Sequence, residues 1–184
     1  NIERETQRIQ EIVDRMMELT ALETRHGLDR TEPVALASLI EDIAISAQPA
    51  AAKRNIDVRV NIRAQARAEG DPFLLRRAIS NLLDNAIDFS PQGSEVLLTL
   101  ETTSKLARVS VRDHGPGIPD YAQEKVFQKF YSLARPHSQK KSTGLGLAFV
   151  KEIAALHRGR IELGNAARGG AVATLTLPLL PAHH

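Results

Sequence analysis

Cysteine and tryptophan are absent from this chain of 184 residues. Without cysteine there can be no disulfide and no thiolate metal site, which fits a reducing compartment. Aromatic residues make up only 4% of the chain, so we expect a core of leucine, isoleucine, valine and alanine that packs helices on a sheet. No apolar run approaches the ~20 residues of a membrane-spanning helix, and no signal peptide is visible. The composition predicts one soluble domain of ordinary size with a smaller appendage.

An excess of charge of one sign is also lacking. Lysine and arginine number 24 against 22 aspartate and glutamate, and the basic residues are spread along the chain. Because a nucleic-acid interface needs a concentrated basic surface, no nucleic-acid partner is predicted.

The histidines show no metal-ligand spacing. None stands on a predicted helix beside a following acidic residue in a way that suggests a phosphate acceptor. We therefore predict surface or turn positions for four of them: His26, His114, His137 and His157.

The first 25 residues form a predicted amphipathic helix whose apolar residues recur at heptad spacing. One row contains Ile2, Ile9 and Met16, and the other contains Ile12 and Leu19. Charged residues fill the remaining positions, which favours one arm of a helical bundle. The alternative is an amphipathic helix that lies on the domain that follows.

Residues 26–33 are predicted to be a linker, residues 34–180 a larger domain and residues 181–184 a tail. In the larger domain, one helix is predicted to be kinked or ended near Pro49, and another is capped by Asp71 with Pro72 in its first turn. The predicted elements are helix 34–52, strand 56–62, helix 72–89, a hairpin of strands 95–102 and 106–112, helix 121–131, helix 144–157, and strands 160–163 and 171–177. This order predicts an α/β (α+β) two-layer sandwich, a mixed sheet with helices on one face, preceded by the long N-terminal helix.

Asn81 and Asn85 lie four residues apart on the third predicted helix, so both carboxamides can point from one face into a common cavity. Neutral oxygen ligands suit Mg²⁺, which keeps most of its waters and takes one or two protein oxygens together with substrate phosphates. The alternative is that both side chains simply face solvent.

Asp113 follows a predicted strand and precedes a glycine turn that contains Gly115 and Gly117. A carboxylate at this place can accept a hydrogen bond from the exocyclic amine of adenine, and glycines let the backbone approach the ring. The alternative is an ordinary turn, since aspartate and glycine are the usual turn residues. Neither glycine pair in the chain continues into a dinucleotide fingerprint, and a Walker A loop is missing.

Residues 143–147, with the sequence TGLGL, pass from a loop into an apolar helix. Free backbone N–H groups at that helix start, together with the helix dipole, favour an anion such as a triphosphate. A plain junction between a loop and a core helix is the alternative. The preceding segment, 120–143, is predicted to be a mobile lid whose aromatic residues contact the domain and whose cations approach phosphates, although such a charged run is often only a solvated surface.

Four stretches in this order resemble the ATP-binding domain of sensor histidine kinases, in the superfamily that includes the ATPase component of DNA gyrase, MutL and the large heat-shock chaperone ATPases. Residues 81–86 resemble the N box, 113–118 the G1 box, 126–131 the F box and 143–147 the G2 box. The resemblance covers residues 34–178. Residues 1–25 resemble the second helix of the dimerisation and phosphotransfer hairpin.

The resemblance implies ATP and Mg²⁺ as cofactors, and it implies roles for individual residues. Asn85 would bind Mg²⁺, Asn81 would assist near the phosphates, and Asp113 would recognise adenine. The other implied nucleotide-binding residues are Gly115, Gly117, Ile118, Lys129, Tyr131, Thr143, Gly144, Leu145, Gly146 and Leu147. Hydrolytic members of the superfamily commonly carry glutamate at position 81, and an asparagine cannot act as a general base.

Three positions depart from the family pattern. Asp88 stands where many kinases have a lysine or another phosphate contact, Ser142 replaces a glycine, and Ala171 lacks a hydroxyl that is often present. The resemblance places the phosphate-accepting histidine on the first hairpin helix, which we expect to precede Asn1.

The function that the resemblance implies is transfer of the ATP γ-phosphoryl group to that upstream histidine and then to an aspartate of a response regulator. We expect a homodimer formed through the helical hairpin. We also expect a cytoplasmic location, with an inner-membrane anchor only in segments upstream of this chain. The alternatives are an ATPase switch of the gyrase or chaperone type and a non-catalytic module that dimerises or binds nucleotide.

Overall fold

The computed structural model of the protein describes residues 1–133 and 144–182. Within them the chain begins with a long helix, α1 (Ile2–Glu23), and continues into an α/β domain. The elements of that domain are β1 (Glu32–Ala35), α2 (Leu36–Lys53), β2 (Asp57–Ile62), β3 (Arg67–Gly70), α3 (Pro72–Phe89), β4 (Glu95–Thr102), β5 (Leu106–Arg112), two 3₁₀ turns (Asp120–Ala122 and Lys125–Phe127), α4 (Gly146–Leu156), β6 (Arg160–Asn165) and β7 (Ala171–Pro178).

Five strands form the main sheet in the order β2-β4-β5-β7-β6. The β2–β4 pair is parallel, and the other three pairs are antiparallel. Burial alternates along β5, where Ala107, Val109 and Val111 are buried and the residues between them are only partly covered. This alternation is typical of a sheet that packs helices on one face. The predicted mixed-sheet sandwich is confirmed, and α2, α3 and α4 supply the helical layer.

Helix α3 positions much of the candidate site, and both of its ends are held by side chains. Asp71 Oδ1 accepts hydrogen bonds from the N–H groups of Phe73 and Leu74, at 2.9 and 3.3 Å, as predicted for its cap. At the other end Arg54 donates to the carbonyl oxygens of Ile87 and Ser90, the latter at 2.6 Å. Since helix ends leave backbone groups unpaired, these contacts fix both the start and the end of α3.

The N-terminal helix packs part of its apolar surface on the following domain and leaves the rest exposed. Leu19 is 1% exposed and Leu22 is 6% exposed, and both belong to the main hydrophobic core together with the half-buried Met16. Ile2 and Ile9 remain exposed. The predicted heptad rows are therefore divided, because Met16 and Leu19 pack on the following domain while the N-terminal half of the stripe faces outward.

Several predicted elements differ from the structure. Helix 121–131 is wrong: the segment forms two 3₁₀ turns, and Phe130 has a φ of 65° while its N–H donates to Gly144 O at 2.9 Å. Of the two alternatives predicted at Pro49, an end of the helix is wrong, because α2 continues through Pro49 to Lys53. Strands β1 and β3 pair as a separate two-stranded sheet that was not predicted, since four-residue strands give little periodicity.

The predicted surface or turn position of His157 is wrong, since this residue is only 5% exposed. Its ring Nδ1 donates to Ile153 O at 2.7 Å, and Nε2 accepts from the N–H of Asp71 at 3.0 Å. Both ring nitrogens are therefore used by a neutral imidazole that joins the end of α4 to the start of α3. Burial lowers the pKa of His157, while the hydrogen bond to Ile153 O and the negative charge of the Asp71 carboxylate act in the opposite direction.

No helix among the described residues is long and apolar enough to cross a membrane.

We expect the free energy of unfolding to decrease as the pH falls below about 6.5, the ordinary histidine pKa. Below that pH the unfolded chain binds a proton at His157 that the folded protein resists, so the unfolded state is favoured. The contribution of the neutral His157 to the free energy of unfolding is fully present above pH ~6.5. It is lost as the pH falls toward the lowered pKa of His157 in the folded protein. Urea unfolding of the wild type and His157→Gln between about pH 7.5 and 5.5 measures it.

The matched control is His26→Gln, since His26 is exposed and makes none of these contacts. The control should keep the wild-type pH dependence, and His157→Gln should show a shallower one. Equal pH dependence in the wild type and His157→Gln would contradict the assignment.

Candidate functional site

A cavity of about 370 Å³ lies between α3, the loop after β5 and the start of α4. Its size is within the usual range for small-molecule sites. Ten of the predicted site residues line it: Asn81, Asn85, Asp113, Gly117, Ile118, Tyr131, Gly144, Leu145, Gly146 and Leu147. Residues that are far apart in sequence thus meet at one place, as the motif order predicts.

Helix α3 gives the cavity its amide wall. Asn81 and Asn85 both line it one turn apart, and Asp84 and Asp88 line it beside them. Asn81 Nδ2 also donates to Gly146 O at 3.3 Å, so the α3 wall is joined to the start of α4. Asn81 is therefore held beside the N-terminus of α4, and both amides line the cavity instead of facing solvent alone.

Asp113 is 6% exposed and lines the cavity directly after β5. A Cβ on Gly115 would lie 2.5 Å from Phe89 O, about two turns beyond Asn81 on α3, so Asp113 lies toward the other end of the cavity. Its Oδ1 accepts hydrogen bonds from the N–H groups of Gly115 and Ala171, at 2.9 and 3.0 Å. A Cβ on Gly170 would lie 2.1 Å from Asp113 O, and Gly170 has a φ of 86°. This close approach requires glycine, and it fixes the carboxylate between two loops.

Asn165 holds the glycine turn from the end of β6. Its Oδ1 accepts from the N–H of Ile118 at 2.7 Å, and its Nδ2 donates to Ile118 O at 2.9 Å. The turn approaches Asn165 so closely that a Cβ on Gly117 would lie 2.6 Å from its Oδ1. Ile118 then packs with Ala122 and Val126 in a small second core. Asn165 is thus a positioning residue that sequence motifs did not identify.

The start of α4 provides the remaining wall. Its N-cap residue Leu145 makes no side-chain hydrogen bond to the first turn, so within the described residues no side chain caps the first N–H groups of α4. Gly144 precedes it with a φ of 71°, and a Cβ there would lie 2.6 Å from the backbone of Phe130. Glycine is therefore needed at this junction, and the helix dipole favours an anion beside it.

Two of the described site residues, Gly115 and Lys129, do not line the cavity. Gly115 acts through its N–H, which holds Asp113. Lys129 pairs with Glu23 of α1, with 2.7 Å between Nζ and Oε1. Thr143 lies outside the described residues, as do residues 135–142 of the predicted lid, His137 among them. The nucleotide contact of Lys129 stays a prediction.

Two arginines line the cavity that were not among the predicted site residues. Arg77 on α3 lies with its guanidinium carbon 3.8 Å from the centre of the Phe149 ring and pairs with Glu18 of α1 at 2.6 Å. Arg15 reaches the cavity from α1. Arg77 is one helical turn before Asn81, a spacing that could have identified it, whereas only tertiary structure reveals Arg15.

Comparison with known proteins agrees with this geometry. Residues 70–181 match the family described as histidine kinase-, DNA gyrase B- and HSP90-like ATPases. The chain is 38% identical over 177 residues to the sensor protein CreC of Escherichia coli strain K12, covering 96% of this chain and 37% of CreC. It is 37% identical over 161 residues to the sensor protein QseC of Salmonella typhi, covering 86% of this chain and 34% of QseC. The chain thus spans little more than a third of either relative.

Solved structures show the same similarity. The mycobacterial sensor histidine kinase MprB matches with a TM-score of 0.73 and 28% identity, covering 83% of this chain and 100% of that one. The cytoplasmic segment of histidine kinase QseC matches with a TM-score of 0.63 and 30% identity, covering 93% of each chain. The chain therefore belongs to the histidine kinase-, DNA gyrase B- and HSP90-like ATPase family. Within it, the chain contains an ATP-binding catalytic domain of the histidine kinase type.

We expect Asn165→Ala to lower the affinity for ATP by about fivefold, because two hydrogen bonds that hold the glycine turn are lost. Asn165→Asp is the second variant, since it keeps the oxygen that accepts from the N–H of Ile118 but loses the amide group that donates to Ile118 O. Calorimetric titration of both variants with Mg²⁺-ATP measures the effect. Affinities equal to wild type in both would show that Asn165 does not position the site.

Proposed function

We propose that this chain is the catalytic part of a two-component sensor histidine kinase that binds Mg²⁺-ATP and transfers its γ-phosphoryl group to a histidine of the dimerisation hairpin. From that histidine the phosphoryl group passes to an aspartate of a response regulator. The observation that carries the proposal is the convergence of a fixed carboxylate, two amides and a helix N-terminus on one cavity.

Adenine is assigned to the Asp113 end of the cavity. Since Oδ1 already holds two backbone N–H groups, Oδ2 is the oxygen that would accept from the exocyclic amine. Guanine carries a carbonyl oxygen at the corresponding ring position, which a carboxylate repels. The site should therefore bind adenine more tightly than guanine, because guanine would leave the buried carboxylate oxygen unpaired, which is costly.

The phosphates are assigned to the Asn81 end, where the N-terminus of α4 favours anions. The amide oxygens of Asn81 and Asn85 fit Mg²⁺, which takes few protein ligands when phosphates supply the rest. Asn85 would hold the ion, and the bound ion would neutralise phosphate charge. Asn81 and the N-terminus of α4 would orient the triphosphate.

The reaction needs positioning more than covalent chemistry from this chain. An imidazole nitrogen attacks the γ-phosphorus, the bond to the β-phosphate oxygen breaks, and ADP leaves. Asn81 cannot activate a water molecule as a general base, which favours transfer to histidine over hydrolysis.

The N-terminal helix fits a dimerisation role through the apolar side chains that the catalytic domain leaves uncovered. Ile2, Ile9, Val13 and Met17 are all exposed, and their exposed fractions range from 45% to 82%. We assign this face to the homodimeric hairpin. We also assign the chain to the cytoplasmic portion of the sensor, with any membrane anchor in segments upstream.

Asp113→Asn should reduce ATP affinity by at least about tenfold. Its NH₂ group would replace either the oxygen that accepts from adenine or the oxygen that accepts from Gly115 and Ala171, so one set of hydrogen bonds is lost. Calorimetry with Mg²⁺-ATP measures this change. Asp42→Asn is the control, since Asp42 lies on α2 and pairs with Arg76 away from the cavity. No ATP binding by the wild type, or equal binding by Asp113→Asn, would contradict the proposed pocket.

With ATP labelled on the γ-phosphate, this chain alone should acquire no acid-labile label and should hydrolyse ATP slowly. The receiving histidine is assigned to the upstream hairpin helix, and position 81 carries no general base. Acid-labile label on this chain would overturn the first assignment. Rapid hydrolysis that Asn81→Ala abolishes would favour an ATPase switch instead.

A further inference from the structure

Arg15 extends from the N-terminal helix to the wall of the nucleotide cavity. The helix is held there by Leu19 and Leu22, which are buried in the core of the catalytic domain. Among the described residues, Arg15 is the one cavity-lining residue that α1 contributes. Arg15 is thus placed at the cavity by a helix that packs on the catalytic domain.

The neighbours of Arg15 locate it at the Asn81 end of the cavity. Glu18 lies one turn further along α1 and pairs with Arg77 at 2.6 Å. Arg77 in turn lies one turn before Asn81 on α3. The contact between α1 and α3 therefore brings Arg15 to the wall where we assign the phosphates, away from Asp113.

Cations that could meet a triphosphate are scarce among the described residues of the cavity. Among the described residues that line the cavity, the acidic ones are Asp84, Asp88 and Asp113, and the basic ones are Arg15 and Arg77. Arg77 is engaged by Glu18 and by the ring of Phe149. The guanidinium of Arg15 makes no ion pair or hydrogen bond within the part of the chain that the structure describes. It is therefore available to an anionic ligand.

We propose that Arg15 binds the terminal phosphate groups of the nucleotide, so that the triphosphate bridges α1 and the catalytic domain. The proposal rests on the proposed function, because it assumes ATP in this cavity. A guanidinium presents paired N–H donors that match phosphate oxygens. The consequence is that ATP, more than ADP, stabilises the arrangement of α1 seen here.

The test compares the wild type, Arg15→Gln and the control Arg8→Gln by calorimetric titration with Mg²⁺-ATP, Mg²⁺-ADP and adenosine. Arg8 is exposed on the same helix, two turns earlier, and does not line the cavity. We expect Arg15→Gln to lose about tenfold in ATP affinity, less in ADP affinity and less than about twofold in adenosine affinity. Arg8→Gln should match the wild type with all three ligands.

Each other outcome has a distinct meaning. Wild-type protein that binds none of the ligands would overturn the proposed function itself. Wild-type binding that Arg15→Gln leaves unchanged would overturn only the role of Arg15. An equal loss for ATP and adenosine would also overturn it, since the substitution would then have altered the cavity as a whole. Loss of self-association without loss of ATP affinity, measured by sedimentation, would assign Arg15 to the dimer interface instead.

Discussion

The hydrogen bonds of the Asp113 carboxylate are the interaction on which the proposed adenine end of the cavity depends. One of its oxygens joins the glycine turn after β5 to the first residue of β7, and Gly170 lets the two segments meet. Because the group is almost fully buried, its charge must be met by hydrogen bonds or by a ligand. Two backbone donors meet part of that need, and an adenine amine is suited to meet the rest. In the proposed function, the same side chain therefore serves both the local structure and the recognition of the base.

The opposite end of the site depends on helix ends. The wall of α3 is defined by the Asp71 cap at its start and by Arg54 at its end, and Asn81 ties it to Gly146. His157 joins α4 to α3 through a buried neutral ring. The Asn81 and His157 contacts join α3 to α4, and the proposed phosphate site, which needs fixed geometry, lies between these two helices.

Local patterns in the sequence predict much of this arrangement. The four-residue spacing of Asn81 and Asn85 places both on one helix face, and the cap at Asp71 marks where that helix begins. Contacts between distant segments were not predictable in the same way: Asn165 and Ile118 are 47 residues apart, and Arg15 reaches the cavity only through tertiary packing. Helix 121–131 was wrong because apolar residues spaced for a helix instead fill a small core beneath the glycine turn.

The attachment of α1 to the catalytic domain is modest in energy. Burying Leu19 and Leu22 contributes about 3–6 kcal/mol, and the two partly exposed ion pairs, Glu18–Arg77 and Glu23–Lys129, add less than about 1 kcal/mol each. A ligand at a thousand times its Kd supplies about 4 kcal/mol. Since these quantities are similar, the free energy of binding one ligand is large enough to change how firmly α1 is attached to the catalytic domain.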